Sequence, residues 1–226
     1  MRRKIPLLLT ALAVSLTFSC ASDAPDETPD VMTSIDITDE SHDHGDSDPD
    51  ILHWSGAFGD VNTLDEEYAV SDCVILCEVT GAGNSFMAGK KGEDPDEDYI
   101  REHWEGIRTP YTVRVIKCFK GDPEEGGELT VCGLWGEMKG LTLVADDLPT
   151  LEVGKVYMMP VRVSDPDEML PYFPALAEIP DYDTSKTPGE NGGAVLVPAM
   201  KNYEYTYKGY RTLSDILENY PRKQAV

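Results

Sequence analysis

Any chemistry in this chain has to be sought among its carboxylates, its four histidines and its five cysteines. His42 and His44 flank Asp43, and Asp46, Asp48 and Asp50 follow at alternate positions. Imidazole and carboxylate both ligate zinc and other divalent ions, and acids at this spacing open a calcium loop. That loop needs glycine at its sixth position and glutamate at its twelfth, where this chain has Ile51 and Ala57. The stretch therefore reads as solvated linker, and neither a metal nor a cofactor is expected. Asp94, Asp96, Glu97 and Asp98 crowd a second stretch and could serve a metal-dependent hydrolase. His103, beside Trp104, is the one histidine beyond the linker region, so a Cys–His nucleophile pair would have to use it. Its polar surroundings make it a surface-loop residue. Gly81-Ala82-Gly83-Asn84-Ser85 lacks the Lys and Thr of a phosphate-binding loop and reads as a turn. No Gly-x-Ser-x-Gly elbow, His-Glu-x-x-His helix or dinucleotide fingerprint occurs.

Cys73, Cys77, Cys118 and Cys132 all sit in apolar runs. In an exported protein an even number invites disulfides, and a zinc site is a further reading. Buried thiols, which pack as small hydrophobes, are the third. Cys73 and Cys77 share one strand face but lie about 13 Å apart along it, so they cannot pair with each other.

Compartment is written at the N-terminus. Met1-Arg2-Arg3-Lys4 is a basic start, and Ile5–Phe18 is an apolar run too short to span a membrane, ending at Ser19-Cys20. This is the pattern of a secretory signal peptide over residues 1–19. The placement of Cys20 after Ser19 resembles the lipobox of bacterial lipoproteins. The resemblance implies cleavage before Cys20, acylation of that cysteine, and anchorage to a bacterial envelope outside the cytoplasmic membrane. Ala21 follows in place of the aspartate associated with inner-membrane retention, so in a Gram-negative host the outer membrane is implied. More than one acyl chain is needed for lasting anchorage. No second apolar run approaches the length of a membrane span.

Removing Arg2, Arg3 and Lys4 takes the 19 basic side chains to 16 against 42 acidic ones, and the formal charge from −23 to −26. Such an excess repels phosphate backbones and excludes nucleic acid as a partner. Much of the acid lies in Ser22–Asp50, which is rich in Pro, Asp, Ser and Thr and poor in large apolar residues. That composition cannot offset chain entropy by burial. Residues 20–61 are accordingly expected to be a disordered acidic stalk, lipid-anchored at one end.

From residue 62 to 226 a single mainly β domain is expected. Thr63 and Glu66 form a capping box for a short helix. Cys73–Val79 reads as a buried strand, and Tyr111–Phe119 as an alternating one. Residues 86–108 read as an irregular excursion. Further strands are predicted over Glu128–Cys132, Leu141–Val144, Lys155–Val163 and Ala194–Val197, with Pro160 at a bulge or edge. Thr212 starts a second helix whose Leu213, Ile216, Leu217 and Tyr220 share a face. Many short strands and two short helices suggest a small closed barrel.

The succession Ser71–Val79, Tyr111–Gly121, Glu128–Val131 and Leu151–Tyr157 is similar to a bacterial secreted domain related to the OB-fold barrel of netrin-like and metalloproteinase-inhibitor (TIMP) domains. Inhibition in that family uses a free N-terminal cysteine. Here the N-terminal cysteine is Cys20, acylated in the lipobox reading and remote from the barrel, so the resemblance implies a fold and not an inhibitory activity.

A non-catalytic envelope lipoprotein that binds a protein or glycan partner is the expected function; a secreted metal-dependent hydrolase using the acidic loop is the alternative. Trp104, Tyr172, Phe173 and Tyr182 could form the ligand surface. The alternation of Tyr203, Tyr205 and Tyr207 instead suggests a half-buried strand.

Overall fold

A computed structural model describes residues 50–54, 63–90, 92–146, 148–165, 168–171, 176–200 and 207–220. The signal segment, Cys20 and the acidic stretch up to residue 49 lie outside these. The first strand, β1 (Ile51–Trp54), falls within the stretch read as linker. Helix α1 (Leu64–Val70) begins where the capping box places it: the Thr63 N–H donates to Glu66 Oε2 at 2.9 Å, and the Glu66 N–H donates to Thr63 Oγ1 at 3.4 Å.

Two long strands carry the fold. In β2 (Cys73–Ala82) both faces are covered. Cys73, Ile75, Cys77 and Val79 enter one apolar cluster, while Val74 and Leu76 enter a second on the other side. This explains why its sequence is a continuous apolar run. After β3 (Phe86–Met87), helix α2 (Glu97–Glu102) and a 3₁₀ turn (Trp104–Gly106), β4 (Ile107–Lys120) pairs antiparallel with β2. From Ile107 to Val115 every second residue is buried (Ile107, Thr109, Tyr111, Val113 and Val115), and Cys118 and Phe119 are buried together near its end.

The remaining strands are β5 (Glu128–Gly133), β6 (Gly136–Met138), β7 (Leu141–Ala145), β8 (Val156–Asp165), β9 (Glu168–Pro171), β10 (Ala177–Glu178) and β11 (Val197–Pro198), before α3 (Leu213–Asn219). The main sheet runs β11-β10-β8-β2-β4-β3, with β5 on β4 and β9 on β8. A second sheet has the order β1-β7-β6.

The domain is mainly β, as expected, but no sheet closes into a barrel. Closure requires a ladder at every edge. β5 and β9 come alongside one another, yet no ladder joins them among the described residues. The outer edge of β8 is instead shared by β10 at Tyr157 and Met158 and by β9 from Val161 onward. Pro160 falls between those two pairings and opposite Val74 of β2, where the register is unbroken, so no bulge marks it.

Helix α2 corrects the expectation of two helices. It lies in the excursion read as irregular, started by Asp96, whose carboxylate accepts the Tyr99 N–H at 2.9 Å. The strand predicted over Ala194–Val197 is also shorter: Val195 makes only an isolated bridge to Thr212, and β11 begins at Val197. Tyr203 and Tyr205 lie outside the described residues, and Tyr207 is buried in a turn.

Candidate functional site

Cys73, Cys77, Cys118 and Cys132 are all thiols, and all are buried. Burial, followed by the neighbouring Cys118 and Asp72, pushes the Cys73 thiol up to about 12. Burial likewise pushes Cys77 far up, with Cys73 adding to it. These sulfurs are therefore core atoms and not nucleophiles at neutral pH.

The residues with chemical potential converge instead on a small lobe. Its apolar floor is Met87, Ile100, Ile107, Leu141 and Leu143, with Leu52, Tyr99, Trp104 and Met138 packed against it. Strand β1 lies parallel to β7 in the register Ile51↔Thr142, Leu52↔Leu143, His53↔Val144. Alternation then turns Leu52 and Leu143 onto the floor, and Ile51 and Thr142 away from it. The Thr142 N–H donates to the Asp50 carbonyl at 2.8 Å. At the start of β1, Arg101 Nη2 donates to Asp50 Oδ1 at 2.8 Å and to Glu97 Oε1 at 2.9 Å. At its other end His53 Nδ1 lies 3.0 Å from Asp146 Oδ1.

Here the acids of the hydrolase reading separate from one another. Asp94 pairs with Lys139 at 2.9 Å, Asp96 caps α2, and Glu97 holds Arg101. Asp98 is exposed on the first turn of α2. Among the described residues no group of three or more His, Cys, Asp or Glu side chains is placed to hold a metal ion. His103 closes α2: its Nδ1 lies 3.0 Å from the Tyr99 carbonyl, and its ring stacks on Tyr99 with centroids 4.2 Å apart.

Of the aromatic surface candidates, the two among the described residues pack against different clusters. Trp104 packs half-buried on the floor of the lobe, whereas Tyr182 packs against the second cluster beside Val156, Ala177 and Ile179. Burial raises the Tyr182 hydroxyl pKa. Tyr172 and Phe173, like Cys20, lie outside the described residues.

A second polar cluster joins the two ends of the domain. Tyr210 Oη donates to Asp65 Oδ1 at 3.0 Å, Tyr220 Oη donates to the same oxygen, and Tyr68 stacks on Tyr220 at 4.5 Å. Two residues along α1, Glu67 is 5% exposed and its Oε2 has no hydrogen-bond partner. Burial, and then the adjacent Glu66, raises its carboxyl pKa.

Sequence reading missed the β1 seat, its Asp50–Arg101 ion pair and its contact between His53 and Asp146. The available signal was the island Ile51-Leu52-His53-Trp54 in an otherwise acidic, apolar-poor stretch. Nothing local announces that its partner is β7. No family model and no curated protein matches the chain.

Proposed function

We propose that this is a non-catalytic lipoprotein of a bacterial envelope, anchored through acyl chains on Cys20, whose β domain binds a protein or glycan outside the cytoplasmic membrane. The observation that carries the non-catalytic part is the dispersal of the lobe's acids. Asp94, Asp96 and Glu97 are each engaged by a different cation or backbone donor. A hydrolytic pair would instead have to converge on one reacting centre. The OB-like reading of the fold draws support from the way β5 and β9 approach while both remain on the sheet built by β4, β2 and β8. The anchorage rests on the basic start, the short apolar run and Cys20.

Intact mass of the protein from native envelopes, beside a Cys20→Ser variant, tests the anchor. A chain beginning at Cys20 with acyl mass that the variant loses supports it; an unmodified N-terminus overturns it. For the function, the domain is used to capture envelope proteins and glycans with and without a chelator. Capture of a defined partner that survives chelation supports binding. Hydrolysis of a substrate that stops on chelation would favour the metal-dependent hydrolase.

A further inference from the structure

Of the five asparagines in the chain, only Asn191 is followed by glycine. That pairing is prone to lose its side-chain amide, because a glycine nitrogen carries no Cβ beside it to hinder its approach to the asparagine Cγ. Residues 181–190 form turns without strand or helix and are exposed or half-buried, whereas Asn191 is only 6% exposed. Its amide is held on both sides. Nδ2 donates to the Asp183 and Thr187 carbonyls, each at 3.0 Å, and Oδ1 accepts the Asp183 N–H at 2.9 Å. The nitrogen that would attack is held as well, since the Gly192 N–H donates to the Gly189 carbonyl at 3.2 Å. A loop that buries so little outside this one side chain belongs to the segments that open before the sheet does.

We infer that Asn191 is a modification site, deamidated through a succinimide. The reaction is suppressed while the 183–192 loop is closed, and once complete it keeps the loop from closing again. In the open loop the Gly192 nitrogen gives its proton to solvent base and bonds to Asn191 Cγ. The Cγ–Nδ2 bond breaks, and the side-chain nitrogen leaves as ammonia. Water then opens the ring at Cγ to give aspartate, or at the main-chain carbonyl to give isoaspartate; nothing is oxidised or reduced. Aspartate at 191 keeps an acceptor for the Asp183 N–H but turns a carboxylate oxygen toward the Asp183 and Thr187 carbonyls, where the amide donated. Two donated bonds are lost and a charge is buried, and both disfavour the closed loop. Lys186 is already paired with the Asp183 carboxylate at 3.0 Å. Release of the loop reaches α3, because the Ser214 N–H donates to the Gly192 carbonyl at 2.8 Å and the Leu213 N–H to the Ala194 carbonyl at 2.9 Å.

The full chain is incubated at mildly alkaline pH with and without urea, and the peptide holding Asn191 is followed by its amide-to-acid mass gain and its isoaspartate content. Conversion is expected to be rapid in urea and slower by more than about tenfold in the folded chain. Asp183→Ala frees Ser185 and Lys186 but leaves the backbone that holds the amide, so its folded rate should lie between the two. Equal rates in the folded and unfolded chain, no conversion in urea, or an unmoved rate in Asp183→Ala would each overturn the inference. Asn191→Asp puts the product in place. Amide exchange should then rise in residues 183–192 and the first turn of α3 while β2 and β4 stay protected. Wild-type exchange in this variant shows that the seat accepts the product, and a uniform rise across the sheet shows that the loop does not open by itself; either result overturns the one-way step.

Discussion

Replacing Glu67 by methionine should stabilise the protein at neutral pH, against the ordinary expectation that a substitution in a core is harmful. Glu67 is almost fully buried on the inner side of α1, and one carboxylate oxygen has no hydrogen-bond partner. A buried polar atom left unpaired costs about 1–3 kcal/mol. Methionine fills a similar volume without that atom or its charge, so a gain of about 2 kcal/mol at pH 7 is the central expectation. With a urea slope of about 2 kcal/mol/M, the unfolding midpoint should rise by about 1 M.

The effect should also depend on pH in a fixed direction. The folded-state carboxyl is raised above its ordinary 4.5, so the folded chain keeps this proton to higher pH than the unfolded chain does. What the group contributes to stability is full below pH 4.5 and is lost as pH rises through the raised folded value. Glu67→Gln, which keeps the shape and removes the charge, should therefore gain on the wild type at pH 7 and lose that advantage near pH 4. Urea titrations of the three proteins at both values decide the matter. If both variants are destabilised equally at pH 4 and pH 7, Glu67 has a native partner and the reasoning fails.

Three further outcomes are expected. Asp65→Ala removes the acceptor of two tyrosine hydroxyls and should cost about 2 kcal/mol; amide exchange should rise in α3 ahead of β2 and β4, and unchanged protection of α3 would refute the link. Asn191→Ala strips a buried amide that donates to the Asp183 and Thr187 carbonyls and accepts the Asp183 N–H. It should lower stability by about 3 kcal/mol in urea unfolding, because several backbone groups lose their partner together. Cys73 and Cys77 should resist alkylation in the native state at pH 8 and react at the rate of unfolding, since burial keeps them protonated there. Rapid labelling of the folded protein would contradict their placement in the core.

The parts of the fold legible in the sequence are those specified by neighbours along the chain. Thr63 and Glu66 lie three residues apart and cap each other, and Thr212 with Asp215 repeats the device, the Thr212 N–H donating to Asp215 Oδ2 at 2.7 Å. The alternation of β4 and the continuous apolar run of β2 register which faces are covered, and both strands stand where those patterns put them. Helix α2 was legible in principle, since Asp96 is a good cap, but the acids that follow it obscure the single buried residue, Ile100. Barrel closure was not legible at all. It depends on which edges meet after β8 has divided its outer side between β9 and β10, a long-range outcome that no short pattern encodes.

The same distinction separates the readings of the site. Residue types alone made Asp94, Asp96, Glu97 and Asp98 resemble a metal or acid–base cluster, because side chains close in sequence are easily taken as close in action. The helix disperses three of them: its start takes Asp96, its own Arg101 takes Glu97, and Lys139 of the turn after β6 takes Asp94. Arg101 does more than neutralise Glu97, because it also reaches Asp50 and so ties α2 to the beginning of β1. The acidic excursion thus positions the chain entering the domain, and the candidate chemistry of the sequence becomes a structural clamp. That clamp lies where residues from the expected stalk meet the fold, so a change in Arg101 should be felt first in the hold on β1. Arg101→Ala should speed amide exchange in β1 and β7 while leaving β2 and β8 protected, and a uniform change across all four strands would show that the lobe and the main sheet open as one unit.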